Sequence, residues 1–289
     1  MNRHQLEPLQ SWRIAAALTI TLMLFHGAAS AATTTCGTSI SACGCTITTS
    51  GTYTLTADLS STQGLTATGD CIDIKASNVI LNTDEFSITG PGSGTSTGAG
   101  IDVLKGASGA FIGSGGLFVD GSSLEDWKYG LQVQGKNTIS NGGTYNDNVM
   151  GVFLDGATGA TISNLKAEDN TVYGVWVRGG KDNQINDADT EDNTTGLYIG
   201  CHDDDTRGTT CKGVKPSSGN RVYNSGSTNN GDAGVVVDLG DEGNVLIDTE
   251  VLDNLGGTDS IDENPGCGTN DWLLNGQAVF GVTTQSCIP

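Results

Sequence analysis

The sequence has little basic charge, little proline, and few histidines or methionines. Lysine and arginine number 13 against 33 aspartates and glutamates, for a net charge of −20. A chain with no basic stripe cannot displace counterions from phosphates, so the composition argues against nucleic acid as a partner. Five prolines beside 43 glycines indicate frequent turns without a proline-rich linker. Three histidines and three methionines count against copper handling, which favours those ligands.

Long apolar runs are also scarce, and the clearest one lies near the start of the chain. Residues 14–25 are apolar, with Arg3 and Arg13 before them and the small residues 29–31 after them. So short a run does not span a bilayer comfortably, and its flanks are typical of a secretory signal. We predict that residues 1–31 are a signal peptide and that the mature chain is exported without a membrane span. An uncleaved anchor is the alternative.

Eight cysteines follow the predicted cleavage site. An even count in an exported chain predicts disulfides, although sequence alone leaves the connectivity open. Proximity predicts four bridges, the last two within one N-terminal group: Cys201–Cys211, Cys267–Cys287, and two among Cys36, Cys43, Cys45 and Cys71. Zinc at Cys43 and Cys45 is a weaker alternative, since the one-residue gap is unusual and no histidine lies nearby.

A short block centred on an aliphatic residue returns four times. Its central residues recur at steps of 23, 23, 37 and 24: Ile139, Ile162, Ile185, Val222 and Leu246. No helical pattern lies inside the repeat. A period of this length predicts a solenoid, in which each repeat stacks on the next to bury a shared core.

A second block consists of a glycine followed by alternating residues. Its glycines are Gly130, Gly151, Gly174, Gly196 and Gly234. The first and third residues after each glycine are aliphatic, which predicts strands whose aliphatic side chains face inward. Asparagines recur three or four residues before the glycine of the next strand, and we predict that they stack as a structural ladder at one turn: Asn148, Asn170, Asn193, Asn230 and Asn254.

The coils are predicted to cover residues 71–264, with an N-terminal cap at 46–70 and a C-terminal cap at 265–289. Residues 69–82 and the two repeated blocks resemble the right-handed parallel β-helix repeat family of the pectate-lyase-like superfamily. The closest resemblance is to carbohydrate-binding and sugar-hydrolysis repeats. It implies an all-β, single-stranded right-handed parallel β-helix with disulfide-bonded end caps over nearly all of residues 32–289. It specifies function weakly, because this scaffold hosts lyases, hydrolases, epimerases, adhesins and assembly factors.

The second residue after the glycine is predicted to face outward. Three successive coils place an aromatic ring there, about 5 Å apart: Phe153, Trp176 and Tyr198. An exposed aromatic stripe tends to mark a binding surface, and sugars stack their C–H faces on aromatic rings. We predict an extended polysaccharide as the partner. The alternative is a stripe covered by a loop or a neighbouring copy.

The fourth residue after the glycine places Asp155 beside Arg178. The two are explained either as a surface ion pair or as a contact for sugar hydroxyls or a uronate carboxylate, which suits the planar guanidinium. Both are candidate catalytic residues. A lyase that uses Arg178 or Lys181 as its base, with Ca²⁺ in support, is a further possibility.

The 37-residue step contains an insertion of about 14 residues beginning at Cys201. Asp203, Asp204 and Asp205 are candidate ligands for Ca²⁺, a cation that prefers oxygen. Candidate acid–base groups here are Asp203 and Asp204, with His202 or Arg207 as partner. A solvated acidic loop held by a disulfide is the simpler interpretation.

The motifs of two families with this fold are incomplete in the sequence. Polygalacturonases combine four motifs, of which only Asn-Thr-Asp at 82–84 and Asp-Asp at 203–204 are present, several coils apart. Mannuronan epimerases combine Tyr-Gly with a following Asp-Pro-His-Asp motif. In this sequence Tyr173-Gly174 is followed by Val-Trp-Val at 175–177 instead. No catalytic residue is therefore transferred from either family. The leading prediction is polysaccharide recognition, with lyase or glycoside hydrolase activity open. The alternatives are a structural or adhesive surface protein and a periplasmic metalloprotein assembly factor.

Overall fold

The computed structural model describes residues 34–66, 68–113, 121–201, 213–274 and 280–289. The signal peptide predicted at residues 1–31 lies outside these ranges. Within them, no helix is long and apolar enough to cross a bilayer. The two helices described are single 3₁₀ turns, Ser61–Gln63 and Pro265–Cys267.

Short strands form three parallel sheets that wind into a right-handed solenoid of about eight turns. The first sheet contains Thr34–Thr35, Cys45–Ile47, Ile72–Ile74, Ala99–Val103, Tyr129–Val133, Met150–Asp155, Tyr173–Arg178, Thr195–Ile199, Ala233–Val237 and Ser260–Asp262. The second contains Ser39–Ile40, Gly51–Leu55, Val79–Asn82, Phe111–Gly113, Ile139–Asn141, Thr161–Ser163, Gln184–Asn186, Arg221–Tyr223, Val245–Ile247 and Asp271–Leu273. The third contains Leu59–Ser60, Ile88–Thr89, Ser123–Glu125, Thr144–Asn146, Lys166–Glu168, Asp189–Glu191, Gly226–Thr228 and Glu250–Leu252. The predicted all-β solenoid is confirmed.

The core consists of aliphatic columns inside the coils. In the first sheet, five inward residues are register partners and are fully or almost fully buried: Leu131, Val152, Val175, Leu197 and Val235. These are the first residues after the repeated glycines, as the strand period predicts. Burial of each such side chain contributes about 1.5–3 kcal/mol, and only a stack of coils provides that burial.

The register of the second sheet corrects one repeat. Ser140, not Ile139, is the partner of Ile162, so the first step is shorter by one position than the sequence block indicates. Ile139 faces outward and is 44% exposed, whereas Ser140 is buried. The inward hydroxyl is tolerated because Ser140 Oγ and the Tyr145 hydroxyl lie 3.1 Å apart, within hydrogen-bond distance. Ile139 occupies the apparent central place only because the sequence block is offset by one residue.

The predicted asparagine ladder is confirmed at the turn between the third and first sheets. The side-chain oxygen of Asn193 accepts from the backbone N–H and the side-chain amide of Asn170, at 3.0 and 2.9 Å. Asn230 does the same for Asn193, at 3.1 and 3.1 Å. The residues before the ladder asparagines turn with φ of 55–57°, a conformation that Asp and Asn tolerate: Asp147, Asp169, Asp192, Asn229 and Asp253.

A second asparagine ladder precedes the second sheet. Asn183 and Asn220 are fully buried, and the Asn220 side-chain oxygen accepts from the backbone and side-chain N–H groups of Asn183, at 3.1 and 2.9 Å. Asn220 donates in the same way to Asn244, and Asn244 to Asn270. These asparagines head the repeated blocks in the sequence, but we had not predicted that they form a ladder.

Disulfides close both ends of the solenoid. The N-terminal bridges are Cys36–Cys45 and Cys43–Cys71, which excludes zinc at Cys43 and Cys45. The predicted Cys267–Cys287 bridge is confirmed. Cys201 is also disulfide-bonded, whereas its predicted partner Cys211 lies outside the described residues.

The cap boundaries differ from the prediction. Strands Cys45–Ile47, Gly51–Leu55 and Leu59–Ser60 pair in register with the next coil in all three sheets. The segment 46–60 is therefore a full coil and not a separate cap. The second sheet likewise continues beyond residue 264, because Asp271–Leu273 pairs with Val245–Ile247.

We expect Asn183→Ala to lower the free energy of unfolding by about 1–3 kcal/mol. The substitution leaves the backbone N–H of Ala160 without its partner, and an unpaired buried group costs about 1–3 kcal/mol, whereas the carbonyl of Ala157 keeps the Lys181 N–H as a donor. Urea denaturation measures the change. The neighbouring variant Gln184→Ala is the control, since Gln184 is exposed and its loss should change stability by less than about 0.5 kcal/mol. Equal effects of the two variants would contradict the ladder's role.

Candidate functional site

The outer face of the first sheet carries one continuous column of side chains. Register pairs run along it in chain order: Thr46, Asp73, Asp102, Gln132, Phe153, Trp176, Tyr198, Val236 and Ile261. Successive members are about 4.8 Å apart, the spacing of paired strands. The column is acidic toward the N-terminal end, aromatic in the middle and aliphatic at the C-terminal end. We call this surface the outer column.

Five aromatic rings pack together in the middle of the outer face. Phe153 stacks on Trp176 at 4.5 Å between centroids and on Tyr129 at 4.9 Å. Tyr173 stacks on Tyr198 at 4.7 Å and meets Trp176 at 5.2 Å. Hydrogen bonds fix two of the polar edges, from Trp176 Nε1 to the Gly200 carbonyl (2.8 Å) and from the Tyr198 hydroxyl to Asp238 Oδ2 (2.9 Å). The rings therefore form a rigid cluster.

The predicted register of Phe153, Trp176 and Tyr198 is confirmed, but their predicted exposure is wrong. The three residues are 1%, 3% and 0% exposed. Tyr173 is buried with them, and the half-buried Tyr129, Met150, Val172 and Ile261 pack against the same cluster. An outward position does not guarantee exposure, because residues at the strand starts extend the apolar cluster. A sugar therefore cannot stack on these three rings as they stand.

Arg178 and Asp155 lie beside this cluster and remain accessible. The guanidinium carbon lies 4.8 Å from the Phe153 centroid and 5.1 Å from the Trp176 centroid. Nε and Nη2 contact Asp155 Oδ1 at 3.0 and 2.9 Å. Both side chains are about 30% exposed. The aromatic faces and the carboxylate thus fix the guanidinium while leaving part of it open to solvent.

Two carboxyl groups, Asp73 and Asp102, are neighbours at the acidic end of the outer column. They are register partners, and each residue is 4% exposed. Hydroxyls donate to Asp73 from Thr46 (3.2 Å), Thr66 (3.4 Å) and Thr68 (3.3 Å). In contrast, Oδ1 of Asp102 is buried and has no hydrogen-bond partner among the residues that the structure describes. A buried carboxyl without a donor favours its neutral form.

Both carboxyls accordingly hold a proton more tightly than an ordinary aspartate. Burial raises the pKa of Asp102 to about 8, and the nearby charges of Asp70, Asp73 and Asp155 contribute to the rise. Burial and the charge of Asp70 raise the pKa of Asp73 to about 7, while hydrogen bonds from Thr46 and Thr68 oppose the shift. Because the threonine hydroxyls favour an ionised Asp73, the last proton of the pair resides on Asp102.

The inserted loop lies mostly outside the described residues. The segment 202–212, which is not among the described residues, contains His202, Asp203, Asp204, Asp205 and Arg207. Their proposed roles in catalysis and calcium binding stay predictions. In the sequence, the loop follows strand Thr195–Ile199.

Residues 99–269 match the family model for the right handed beta helix region. The chain belongs to this family. A comparison of the β-helix with curated proteins finds no match.

Solved structures similar to this β-helix share its fold at low identity. Dettilon tailspike protein (gp208) is 11% identical with a TM-score of 0.50, over 85% of this chain and 60% of the tailspike chain. The β-helix thus spans less than two thirds of that protein. Pectate lyase Pel9A is 13% identical, over 86% of this chain and 70% of its own, with a TM-score of 0.36. Periplasmic alginate epimerase AlgG is 14% identical, over 81% and 72%, with a TM-score of 0.39.

Sequence reasoning missed the acidic pair and the two additional tyrosines. The signal for the pair was present, since Ile72-Asp73-Ile74 and Ile101-Asp102-Val103 repeat the same inward–outward pattern on successive coils. The prediction focused on the aromatic members of the column instead. Tyr173 stands directly before its glycine, where strict alternation from the inward Val175 predicts an inward side chain. In the structure, Tyr173 instead packs against Trp176 and Tyr198 in the outer cluster.

We expect the free energy of unfolding to fall as the pH rises from about 4 to about 8. Over that range Asp102 is ionised in the unfolded chain but still protonated in the folded β-helix. The free energy of unfolding therefore falls with each unit of pH. Asp102→Asn removes this titration and should be more stable than the wild type at pH 8, by about 1 kcal/mol or more. Thermal unfolding across the pH range measures both curves.

The exposed Asp182→Asn provides the control, because it removes the same charge without removing a buried carboxyl. It should not be more stable than the wild type at pH 8, because it loses a contact with Lys181. Parallel curves for Asp102→Asn and the wild type would show that Asp102 carries no excess proton.

Proposed function

We propose that this β-helix is an exported protein that recognises an extended polysaccharide along the outer face of its first sheet. The disulfides support export, since such bonds persist in oxidising compartments. Residues 1–31 serve as the signal peptide in this proposal. The observation that carries the recognition function is the in-register outer column with the pinned Arg178–Asp155 pair beside it.

The accessible polar groups, rather than the buried rings, are the proposed sugar contacts. Gln132 and Gln134 are partly exposed and lie on the coil before Asp155, while Arg178 lies on the coil after it. Amide, carboxylate and guanidinium groups together offer donors and acceptors for sugar hydroxyls. Phe153, Trp176 and Tyr198 have a supporting role here, because the packed cluster holds Arg178 in place. A polymer lying along the axis meets this set of groups coil after coil.

The Asp73–Asp102 pair favours acid–base catalysis on the polysaccharide as a second candidate function. A carboxyl that keeps its proton at neutral pH is suited to protonate a leaving oxygen, and its ionised neighbour is suited to accept a proton. The pair lies in the outer column but each residue is only 4% exposed, so this candidate function requires a movement that opens the two carboxyls to a glycan bound along the face. The second candidate function is therefore cleavage of the bound polysaccharide by hydrolysis or elimination, with Arg178 and Asp155 as substrate contacts.

Arg178→Ala should weaken glycan binding by roughly tenfold, because it removes a positioned guanidinium that makes charge-assisted hydrogen bonds. Isothermal titration against a panel of neutral, acidic and amino polysaccharides measures the affinity. The same samples, read for reducing ends and for the absorbance of unsaturated products, report cleavage. Arg221→Ala is the matched control, since Arg221 is exposed on the second sheet, away from this face.

Circular dichroism of both variants checks that the fold is retained. Equal affinities for Arg178→Ala and Arg221→Ala would reject the site. A wild type that binds no glycan would reject the function and favour a structural or adhesive surface protein.

We also propose that the inserted loop binds Ca²⁺ through Asp203, Asp204 and Asp205. Three successive carboxylates provide the oxygen ligands that this cation prefers. Calcium should then raise the thermal midpoint of the wild type, because a ligand that binds only the folded state stabilises it. Asp203→Asn combined with Asp205→Asn should abolish the rise. An unchanged wild-type midpoint at saturating calcium would contradict the site.

A further inference from the structure

The basic residues of this acidic protein gather along one edge of the solenoid. Six of the nine lysines and arginines in the described ranges lie at the last residue of a first-sheet strand or between a first-sheet strand and the second-sheet strand that follows it, a set that we call the corner stripe: Lys75, Lys105, Lys136, Arg178, Lys181 and Lys215. The other three are Lys128, Lys166 and Arg221. Composition had predicted that no basic stripe exists. Coiling assembles one, because it brings residues from separate repeats of the chain onto one edge.

The corner stripe follows the coils in order. Lys75 comes directly after strand Ile72–Ile74, and Lys105 lies two residues beyond strand Ala99–Val103. Parallel bridges pair Lys136 with Thr158 and Thr158 with Lys181, so these two lysines are two coils, or about 10 Å, apart along the axis. The backbone of Lys215 lies against Gly179, which places it on the coil after Lys181. The stripe therefore runs parallel to the solenoid axis.

Most of these cations form no ion pair with a carboxylate of the described residues. Lys75, Lys105, Lys136 and Lys215 are exposed, and no carboxylate of the described residues forms an ion pair with them. Arg178 pairs with Asp155, and Lys181 lies 3.9 Å from Asp182. In contrast, Lys166 on the third sheet is held by Glu168 at 2.6 Å and by Glu191 at 2.8 Å. With 33 acidic residues in the chain, unpaired lysines on one edge are a marked segregation of charge.

Carboxylates occupy a different edge. The turn from the third sheet to the first carries a column of partly or fully exposed acids: Asp126, Asp147, Asp169, Asp192 and Asp253. An anionic polymer is repelled from that edge and attracted to the corner stripe, whose field extends about 8–10 Å at physiological salt. Among the described residues, the carboxylates on the edge of the corner stripe are Asp155, Asp182, Glu242 and Glu263, together with the buried Asp238 and Asp241. Asp155 and Asp182 already pair with Arg178 and Lys181.

We propose that the corner stripe binds a linear acidic polysaccharide that lies parallel to the solenoid axis. This inference rests on the polysaccharide recognition proposed above and names the charge of the polymer and the edge that it occupies. The cations occupy five of six successive coils at a rise of about 4.8 Å per coil, which suits a polymer that presents an anionic group at each sugar or every second sugar. The exposed lysines act as hydrated point charges, while Arg178, fixed on Phe153 and Trp176, adds a planar fork for one carboxylate or sulfate.

The test compares two double variants that each lose two positive charges. Lys136→Gln with Lys181→Gln removes the centre of the corner stripe and leaves Arg178 intact. Lys166→Gln with Arg221→Gln removes two charges from other faces. Binding of the full chain is measured at low and high salt against a polyuronate, a sulfated polysaccharide, a neutral polysaccharide of similar length, and single-stranded DNA.

We expect an acidic polysaccharide to bind the wild type more tightly than the neutral polymer, with affinity falling as salt rises. The stripe variant should bind it roughly fivefold or more weakly, while the control variant should change by less than twofold, since each exposed ion pair contributes modestly. The polyuronate and sulfated arms identify which acidic group is preferred.

Three outcomes would overturn the inference. Tighter binding of the neutral polymer would leave the proposed function standing but remove the anionic class. Equal losses in the two variants would remove the corner stripe as the site. Single-stranded DNA that binds as tightly as the best polysaccharide would point to a general polyanion surface. Failure of all polymers to bind would instead reject the proposed function itself.

Discussion

The architecture depends on a register between coils that buried amides impose. Most ladder asparagines accept from the backbone and the side chain of their counterpart one coil earlier, and they also donate to a carbonyl near that coil. A slip of one residue in a parallel strand moves every inward side chain outward and leaves these amides unpaired in the interior. Aliphatic columns supply most of the burial, but they tolerate the inward Ser140. The amide ladders at two of the turns tolerate a change of register less well than the aliphatic columns do.

Fixed register gives the outer surface its composition. Residues from separate repeats become neighbours about 4.8 Å apart, so the composition of each column along the axis is set by residues that are distant in the chain. Asp73 and Asp102 become a proton-holding pair in this way, and five aromatic rings become one packed cluster. The same coiling separates a basic edge from an acidic one in a chain whose composition indicates only a large net negative charge. Recognition of a linear polymer fits this geometry, since both partners repeat along one axis.

Much of the fold was predictable because its signals are local and repeated. The spacing of Ile162, Ile185, Val222 and Leu246, together with the glycine-led strands, was sufficient to predict the solenoid, and one asparagine ladder followed from its place before the glycines. Side-chain exposure was harder to predict from the sequence, because the burial of Phe153, Trp176 and Tyr198 depends on neighbours such as Tyr173 and Ile261. The pairing of Asp73 with Asp102 needed a register across one of the longer coils, where insertions blur the period. The corner stripe escaped detection because composition sums charges without placing them.

Native-state hydrogen exchange, resolved at single amides, tests the central claim most directly. If buried amides hold the coils in register, the backbone N–H groups of Asn148, Asn170, Asn193 and Asn230, and those of Asn183, Asn220 and Asn244, should exchange among the slowest in the protein. They should open only with global unfolding. Exchange at these positions as fast as at the exposed turn residues Asp169 and Asp192 would show that the ladders open locally and do not set the register.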